Sequence, residues 1–211
     1  RFQPFERLLK PTAALFHDLG RFEQFSRYST FSDGKSVNHA DLALEILRQY
    51  DVLKNLDTSE QEIIFTAIAN HNKKEIASDV QGDRLLHCRL LRDADKADIY
   101  HVVTHHYENG KNGHNSSVHL ELPDTPGYNS ESVKALKNKS NVSYRTVSNL
   151  NDFKLVQVGM VFDINFPRTC EILLENNYIG RLFDVLPSND ELKAVRMLVN
   201  DHLKSCLSPA K

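Results

Sequence analysis

The sequence predicts an all-α fold, and three observations carry that expectation. Apolar residues recur at helical spacing in one segment after another. Capping signatures stand ahead of several of those segments. Strand-like alternation is confined to one short stretch, residues 117–124. Apolar residues make up 40% of the 211 and charged residues 26%, which is enough for a substantial core in one domain with a helical extension.

The elements follow in order. Phe5 to about Arg27 is expected as one helix, striped by Leu8, Leu9, Leu15, Phe16, Leu19 and Phe22, with Pro11 near a turn or an early helical position. Residues 25–36 carry the Ser, Gly and Asp of a loop. Val37–Tyr50 forms the next helix, burying Ala40, Ala43, Leu44 and Leu47. Thr58 with Gln61 fits a capping box for a helix through Ile63, Ile64, Ala67 and Ile68 that ends near His71. A connection over 73–82 leads to a long helix from Asp83 to about His105, carrying Leu86, Leu90, Ala94, Ala97 and Val102.

Residues 105–117 are expected as loop, and 117–124 as a short strand or an extended crossover. A short polar helix covers 130–138. Asn151 or Asp152 starts another through Phe153 and Ile164, which Pro167 ends or kinks. Arg168–Asn176 and Tyr178–Leu186 are short helices. Ser188 with Glu191 caps a last helix through Leu203. The total is eight or nine helices, with no repeating period.

The formal charge of -2 supplies no basic excess for a nucleic acid polymer, although a small phosphorylated molecule needs only a local positive patch. Cys88, Cys170 and Cys206 are odd in number and far apart, as expected for reduced thiols in a cytoplasmic protein. No run approaches a membrane span, and the first residues are too polar for a signal peptide. A homodimer is compatible with this composition.

Candidate chemistry begins at His17-Asp18, which follows the apolar run Ala13–Phe16. Adjacent helical residues point about 100° apart, so the pair can grip one ion only beside a helix end. Gly20 fits a tight exit there, through positive φ or a close approach. Asp95 lies four residues from both Leu91 and Ile99 and shares their inward face. A buried carboxylate needs a partner, either a metal ion or Arg92. Asp93 and Asp98 fall to the sides, as solvated face. His39 and His71 stand at the edges of apolar helices. Each of these residues alone is an ordinary cap or core polar group. Together, three imidazoles and two carboxylates suit Mn²⁺, Fe²⁺, Zn²⁺ or Co²⁺ better than Ca²⁺. Five ligands suffice for two ions when waters complete the shells.

The order His17-Asp18-Leu19-Gly20-Arg21, then His39, His71 and Arg92-Asp93-Ala94-Asp95-Lys96, resembles the HD superfamily of metal-dependent phosphohydrolases. The stretch Phe22–Phe31 with Asp33–His39 is similar to a bacterial branch of HD-domain proteins. The resemblance implies a multi-helix HD-domain core over about 5–105 and a helical extension over about 125–207. It implies His17, Asp18 and Asp95 as ligands of a first ion, with His39 and His71 toward a second. One or two divalent ions are expected, among Mn, Fe, Mg, Zn, Co and Ni. The family also places a His well ahead of the doublet. None occurs in residues 1–16, so that ligand lies upstream of the sequence or has been lost.

The activity this implies is hydrolysis of a nucleotide or other small phosphoester. Asp18, Arg21 and Lys96 are the candidate catalytic residues. Lys35 and Lys73 are further phosphate neutralisers, and Glu23 is a water-positioning acid. The rival readings are a non-catalytic nucleotide-binding or signalling module, a di-iron oxygenase, and a structural domain in which His17 and Asp18 form a simple core pair. His101, His105, His106, His114 and His119 are expected at the surface or in the loop after the long helix.

Overall fold

The computed structural model describes residues 6–109 and 122–207, with no strand among them. Ten α-helices are present among the described residues: α1 Glu6–Phe16, α2 Leu19–Tyr28, α3 His39–Gln49, α4 Thr58–His71, α5 Gly82–Asn109, α6 Ser130–Lys137, α7 Leu150–Gly159, α8 Pro167–Glu175, α9 Tyr178–Asp184 and α10 Asp190–Ser205. Short 3-10 turns cover Asp33–Lys35, Tyr144–Thr146 and Met160–Asp163. The side chain of Leu8, residues 117–121 of the expected extended segment, and His114 and His119 lie outside the described residues. Residues 122–124 are irregular.

The chain forms two compact units, 1–95 and 96–211. The first unit is held by Leu9 and Ala13 of α1, Ala43, Leu44 and Leu47 of α3, Ile64, Ala67 and Ile68 of α4, and Cys88 and Leu91 of α5. The helix expected over 5–27 is two helices. It breaks at His17-Asp18, yet the inward positions on both sides keep one helical phase. Leu9 and Ala13 face inward on α1, and Gly20 and Gln24 face inward on α2. Leu15 and Phe22, expected in the buried stripe, are 74% and 78% exposed. Pro11 lies inside α1.

Gly20 takes the close-approach half of its expected role. It is helical, and positive φ among the described glycines occurs at Gly82 and Gly127. A Cβ at Gly20 would stand 2.1 Å from the His39 carbonyl oxygen and 2.7 Å from the Ala43 nitrogen. The missing side chain lets α2 lie directly on the backbone of α3.

The cap ahead of α4 is one residue earlier than expected. Asp57 accepts from the Glu60 amide at 2.9 Å, and Glu60 accepts from the Asp57 amide at 3.1 Å. On α5 the buried positions include Cys88, Leu91, Arg92, Asp93, Lys96, Tyr100 and Val103, whereas Ala94 and Val102 face solvent. Asp93, expected on a solvated side, is 3% exposed; Asp98 is exposed as expected.

The second unit packs α6–α10 and the end of α5 around Tyr100, Leu136, Leu155, Leu173, Leu182 and Val199. The caps of α7 and α10 are Asn149 and Asn189, not Asn151 or Asp152 and not Ser188. Asn149 accepts from the Asp152 amide and Asn189 from the Leu192 amide. The α-helical part of α7 stops at Gly159, where a Cβ would meet the Val142 nitrogen at 3.1 Å, and a 3-10 turn continues it. Pro167 is the first residue of α8, where its missing N–H costs nothing. No described helix is long and apolar enough to cross a membrane.

Candidate metal centre

The centre is built at the junction of α1 and α2. The His17 amide still bonds the Ala13 carbonyl at 3.0 Å, and the Arg21 amide bonds the Asp18 carbonyl at 2.9 Å. The doublet is therefore the whole turn between the helices. Asp18 occupies the N-cap of α2, yet its side chain makes no capping hydrogen bond. Its carboxylate faces other groups instead. Oδ1 lies 3.3 Å from His39 Nε2, 3.4 Å from Arg21 Nε and 3.9 Å from His71 Nε2. Oδ2 lies 3.7 Å from His17 Nε2.

All three imidazoles have their Nδ1 engaged by an oxygen acceptor. His17 Nδ1 donates to the Ala14 carbonyl at 2.7 Å and His71 Nδ1 to the Ile68 carbonyl at 2.8 Å. His39 Nδ1 donates to Asp33, at 2.7 and 2.9 Å from its two oxygens. An oxygen acceptor at Nδ1 assigns the proton there, which leaves Nε2 as the ligand atom. Ligand atoms of His17, Asp18 and His71 lie within 4.8 Å of one another. His39 adjoins this triad, its Nε2 3.0 Å from His71 Nε2. Asp95 adjoins it through His17, with Oδ1 3.5 Å from His17 Nε2.

This donor set fits a divalent ion. Mixed imidazole and carboxylate donors suit first-row metals. The paired Nε2 atoms of His39 and His71 need a shared cation or proton between them. The two triad imidazoles are shifted in opposite directions. Burial works against a charge on His17, but Asp95, the Ala14 carbonyl and Asp18 outweigh it and raise its pKa to about 9. His71, buried more deeply, is pushed down to about 4, mainly by burial and further by His39 and His17, against the opposing pull of the Ile68 carbonyl and Asp95.

The surroundings hold residues that the sequence did not single out. Asp33 is partly buried, which alone would raise its pKa; His39, Gln24 and Arg21 reverse this and hold it below the ordinary carboxylate range. Gln24 is fully buried and donates to Asp33 Oδ1, Ser36 Oγ and the Val37 carbonyl. Its one legible signal is its place four residues after Gly20, on the inward face. Asn72 Nδ2 reaches Asp33 Oδ2 at 3.3 Å and Asn38 Oδ1 at 3.1 Å. Arg92, the rival partner considered for Asp95, donates to the carbonyls of Asn70, His71, Lys73 and Lys74. It clamps the chain at the end of α4 and so seats His71.

The expected phosphate neutralisers are scattered. Arg21 stays at the centre, with Nη1 donating to the Phe31 carbonyl at 2.7 Å and facing Asp33 at 3.2 Å. Lys96 is a correction: it is buried, and its ammonium is committed to Asp163 at 2.7 Å. Glu23 pairs with Arg27 at 2.7 Å. Lys35 and Lys73 are exposed. His101, His105 and His106 lie within α5, which extends past the expected end. His101 and His105 are exposed, and His106 is half-buried.

Residues 5–107 match the HD domain family. This segment is an HD domain, and the match supports its assignment to the HD superfamily of metal-dependent phosphohydrolases. With the His17–Asp18–His71 cluster in that domain, it is a metal-dependent hydrolase whose substrate class is a small phosphoester. No curated protein and no solved structure matches the chain.

Proposed function

We propose that His17, Asp18, His71, His39 and Asp95 hold the catalytic metal of a hydrolase whose substrate is a nucleotide. The convergence of Nε2 of His17 and His71 on the Asp18 carboxylate carries this reading. A divalent ion bound there would supply Lewis acidity toward phosphoryl oxygens and lower the pKa of a water. His17, His71 and Asp18 bind that ion. His39 and Asp95 either complete its shell or extend the donor set to a second ion. Arg21 places a guanidinium beside Asp18, where it balances the anionic charge of a phosphoryl group.

The preference for a nucleotide rests on α2. Phe22 and Phe25 are exposed on this helix, and Phe25 stacks on Phe31 with ring centroids 4.7 Å apart. Such a flat aromatic surface suits a base. Cys88, Cys170 and Cys206 are free thiols, which supports a reducing, cytoplasmic setting.

The test is metal analysis of protein purified without chelator, followed by a phosphatase panel with Mn²⁺, Mg²⁺, Co²⁺ and Ni²⁺. Asp18→Ala is expected to lose both bound metal and hydrolysis. Unchanged metal content in Asp18→Ala would sink the reading. Nucleotide binding without turnover under every metal would favour the non-catalytic module.

A further inference from the structure

We propose that Asp33 is a positioning residue of the metal centre, which fixes the His39 ring with Nε2 toward Asp18 and His71. The inference rests on the reading of the centre given above and adds a residue to it. Both Asp33 oxygens lie within hydrogen-bond reach of His39 Nδ1, at 2.9 and 2.7 Å. The ring itself is 3% exposed, so no water competes freely for that nitrogen.

Asp33 is itself held from three directions. Gln24 Nε2 donates to Oδ1 at 2.9 Å, Arg21 Nη1 faces Oδ1 at 3.2 Å, and Asn72 Nδ2 reaches Oδ2 at 3.3 Å. These donors come from α2 and from the C-cap of α4, the elements that carry Asp18 and His71. The carboxylate thus sets one imidazole against the other groups of the centre. A carboxylate that accepts from the far nitrogen of a ligating His selects its tautomer and raises its basicity. The competing role is a loop staple: Asp33 would tie residues 29–38 down and do nothing for the ligand set. The two roles differ in what they change. A staple affects stability alone, whereas a positioning residue alters metal affinity in protein that is still folded.

The experiment is titration of the intact chain with Co²⁺, well below the unfolding temperature, with circular dichroism as the check on folding. Asp33→Asn is nearly isosteric. Its amide can keep Gln24 as a donor to Oδ1 while turning Nδ2 toward His39, which would force the proton onto Nε2. The expected result is a 10- to 100-fold loss of Co²⁺ affinity, on the order of what removal of such a partner costs. The visible cobalt spectrum should also report one nitrogen donor fewer. Asp33→Glu, which retains a carboxylate, should recover most of the affinity and serves if the Asn variant does not fold. In a His39→Ala background the Asp33→Asn penalty should vanish, because the two residues act as one unit. Nitrogen-15 shifts of His39 in metal-free protein should show Nδ1 protonated in the wild type.

Unchanged Co²⁺ affinity in a folded Asp33→Asn chain, against a wild type that binds, overturns the positioning role and leaves the centre standing. So does a penalty that persists undiminished without His39. A wild type that binds no Co²⁺ overturns the centre itself, and the role of Asp33 with it.

Discussion

Nε2 of His17 lies 3.5 Å from Oδ1 of Asp95 and 3.7 Å from Oδ2 of Asp18, so one imidazole stands against two carboxylates. Its pKa is raised from 6.5 to about 9 despite burial, because Asp95, the Ala14 carbonyl and Asp18 favour the charged ring. A raised pKa stabilises the folded chain fully below the unfolded value and loses that stabilisation as pH climbs through about 9. His71 works in the opposite window. Its pKa is lowered to about 4, so its burial weakens the fold only as pH falls from 6.5 toward 4. Metal-free protein should therefore show a maximum in melting temperature near pH 6.5 from these two groups. Metal binding must displace the His17 proton, so Mn²⁺ affinity should rise by up to about one log unit per pH unit between 7 and 9. Calorimetry in buffers of different ionisation enthalpy measures the protons released. A flat affinity across that range would contradict the pairing.

The contact of Gly20 with α3 gives a second expectation. A methyl group there would enter the backbone of His39 and Ala43, and neither atom can swing aside as a side chain would. Gly20→Ala should cost about 1–3 kcal/mol or more, which lowers the melting temperature by several degrees. It should also weaken metal binding, since α2 carries Asp18 and α3 carries His39. Gly34→Ala is the control: its nearest neighbour would be Ser32 Oγ at 4.0 Å. Thermal unfolding of both variants, with Mn²⁺ titration of each, tests the claim. Equal behaviour of the two would refute it.

The helices were legible because each needs only its own periodicity and caps, and residues such as Ala43, Leu47, Ile64 and Ile68 are buried as their spacing requires. The His17-Asp18 doublet was legible as polar ligands after an apolar run. The inward face on either side of it was not. The buried face runs through Leu9, Ala13, Gly20 and Gln24, and small or polar residues there gave no apolar stripe, while Leu15 and Phe22, about 180° away, face out. The supporting residues were hidden for a different reason. Asp33 sits in a Ser- and Gly-containing loop where a carboxylate is ordinary, and Gln24 gains its meaning only from Asp33, Ser36 and Val37 folding back over it. Lys96 misled because its neighbour Asp95 faces the centre, while its own partner, Asp163, is 67 residues away in sequence.

Arg92 supports a third prediction. Its guanidinium is buried and serves carbonyls of residues 70, 71, 73 and 74 at distances from 2.6 to 3.3 Å. A planar fork can reach several such oxygens at once, and a lysine ammonium cannot reproduce that geometry. Arg92→Lys should therefore destabilise the chain by about 2 kcal/mol or more, measured by urea unfolding. Metal affinity should fall as well, because the clamped carbonyls flank His71. An Arg92→Lys protein with wild-type stability would show that the clamp is dispensable.

Asp152 offers the corresponding test in the second unit. It is fully buried, and its carboxylate accepts from the Asn129 amide at 2.6 Å, the Ser148 amide at 2.9 Å and the Ser148 hydroxyl at 2.7 Å. It also stands in the first turn of α7, where a negative charge meets the positive end of the helix. Asp152→Ala strips the acceptor from donors that have no replacement in the packed interior, at a cost of about 2–4 kcal/mol. Asp152→Asn keeps one acceptor oxygen but puts an amide donor against N–H and O–H groups, so it should recover only part of the loss. Urea unfolding of the three proteins, followed by tyrosine fluorescence, ranks them. The order wild type, Asn, Ala is expected, and an alanine variant as stable as the wild type would show that these hydrogen bonds contribute nothing net to the fold.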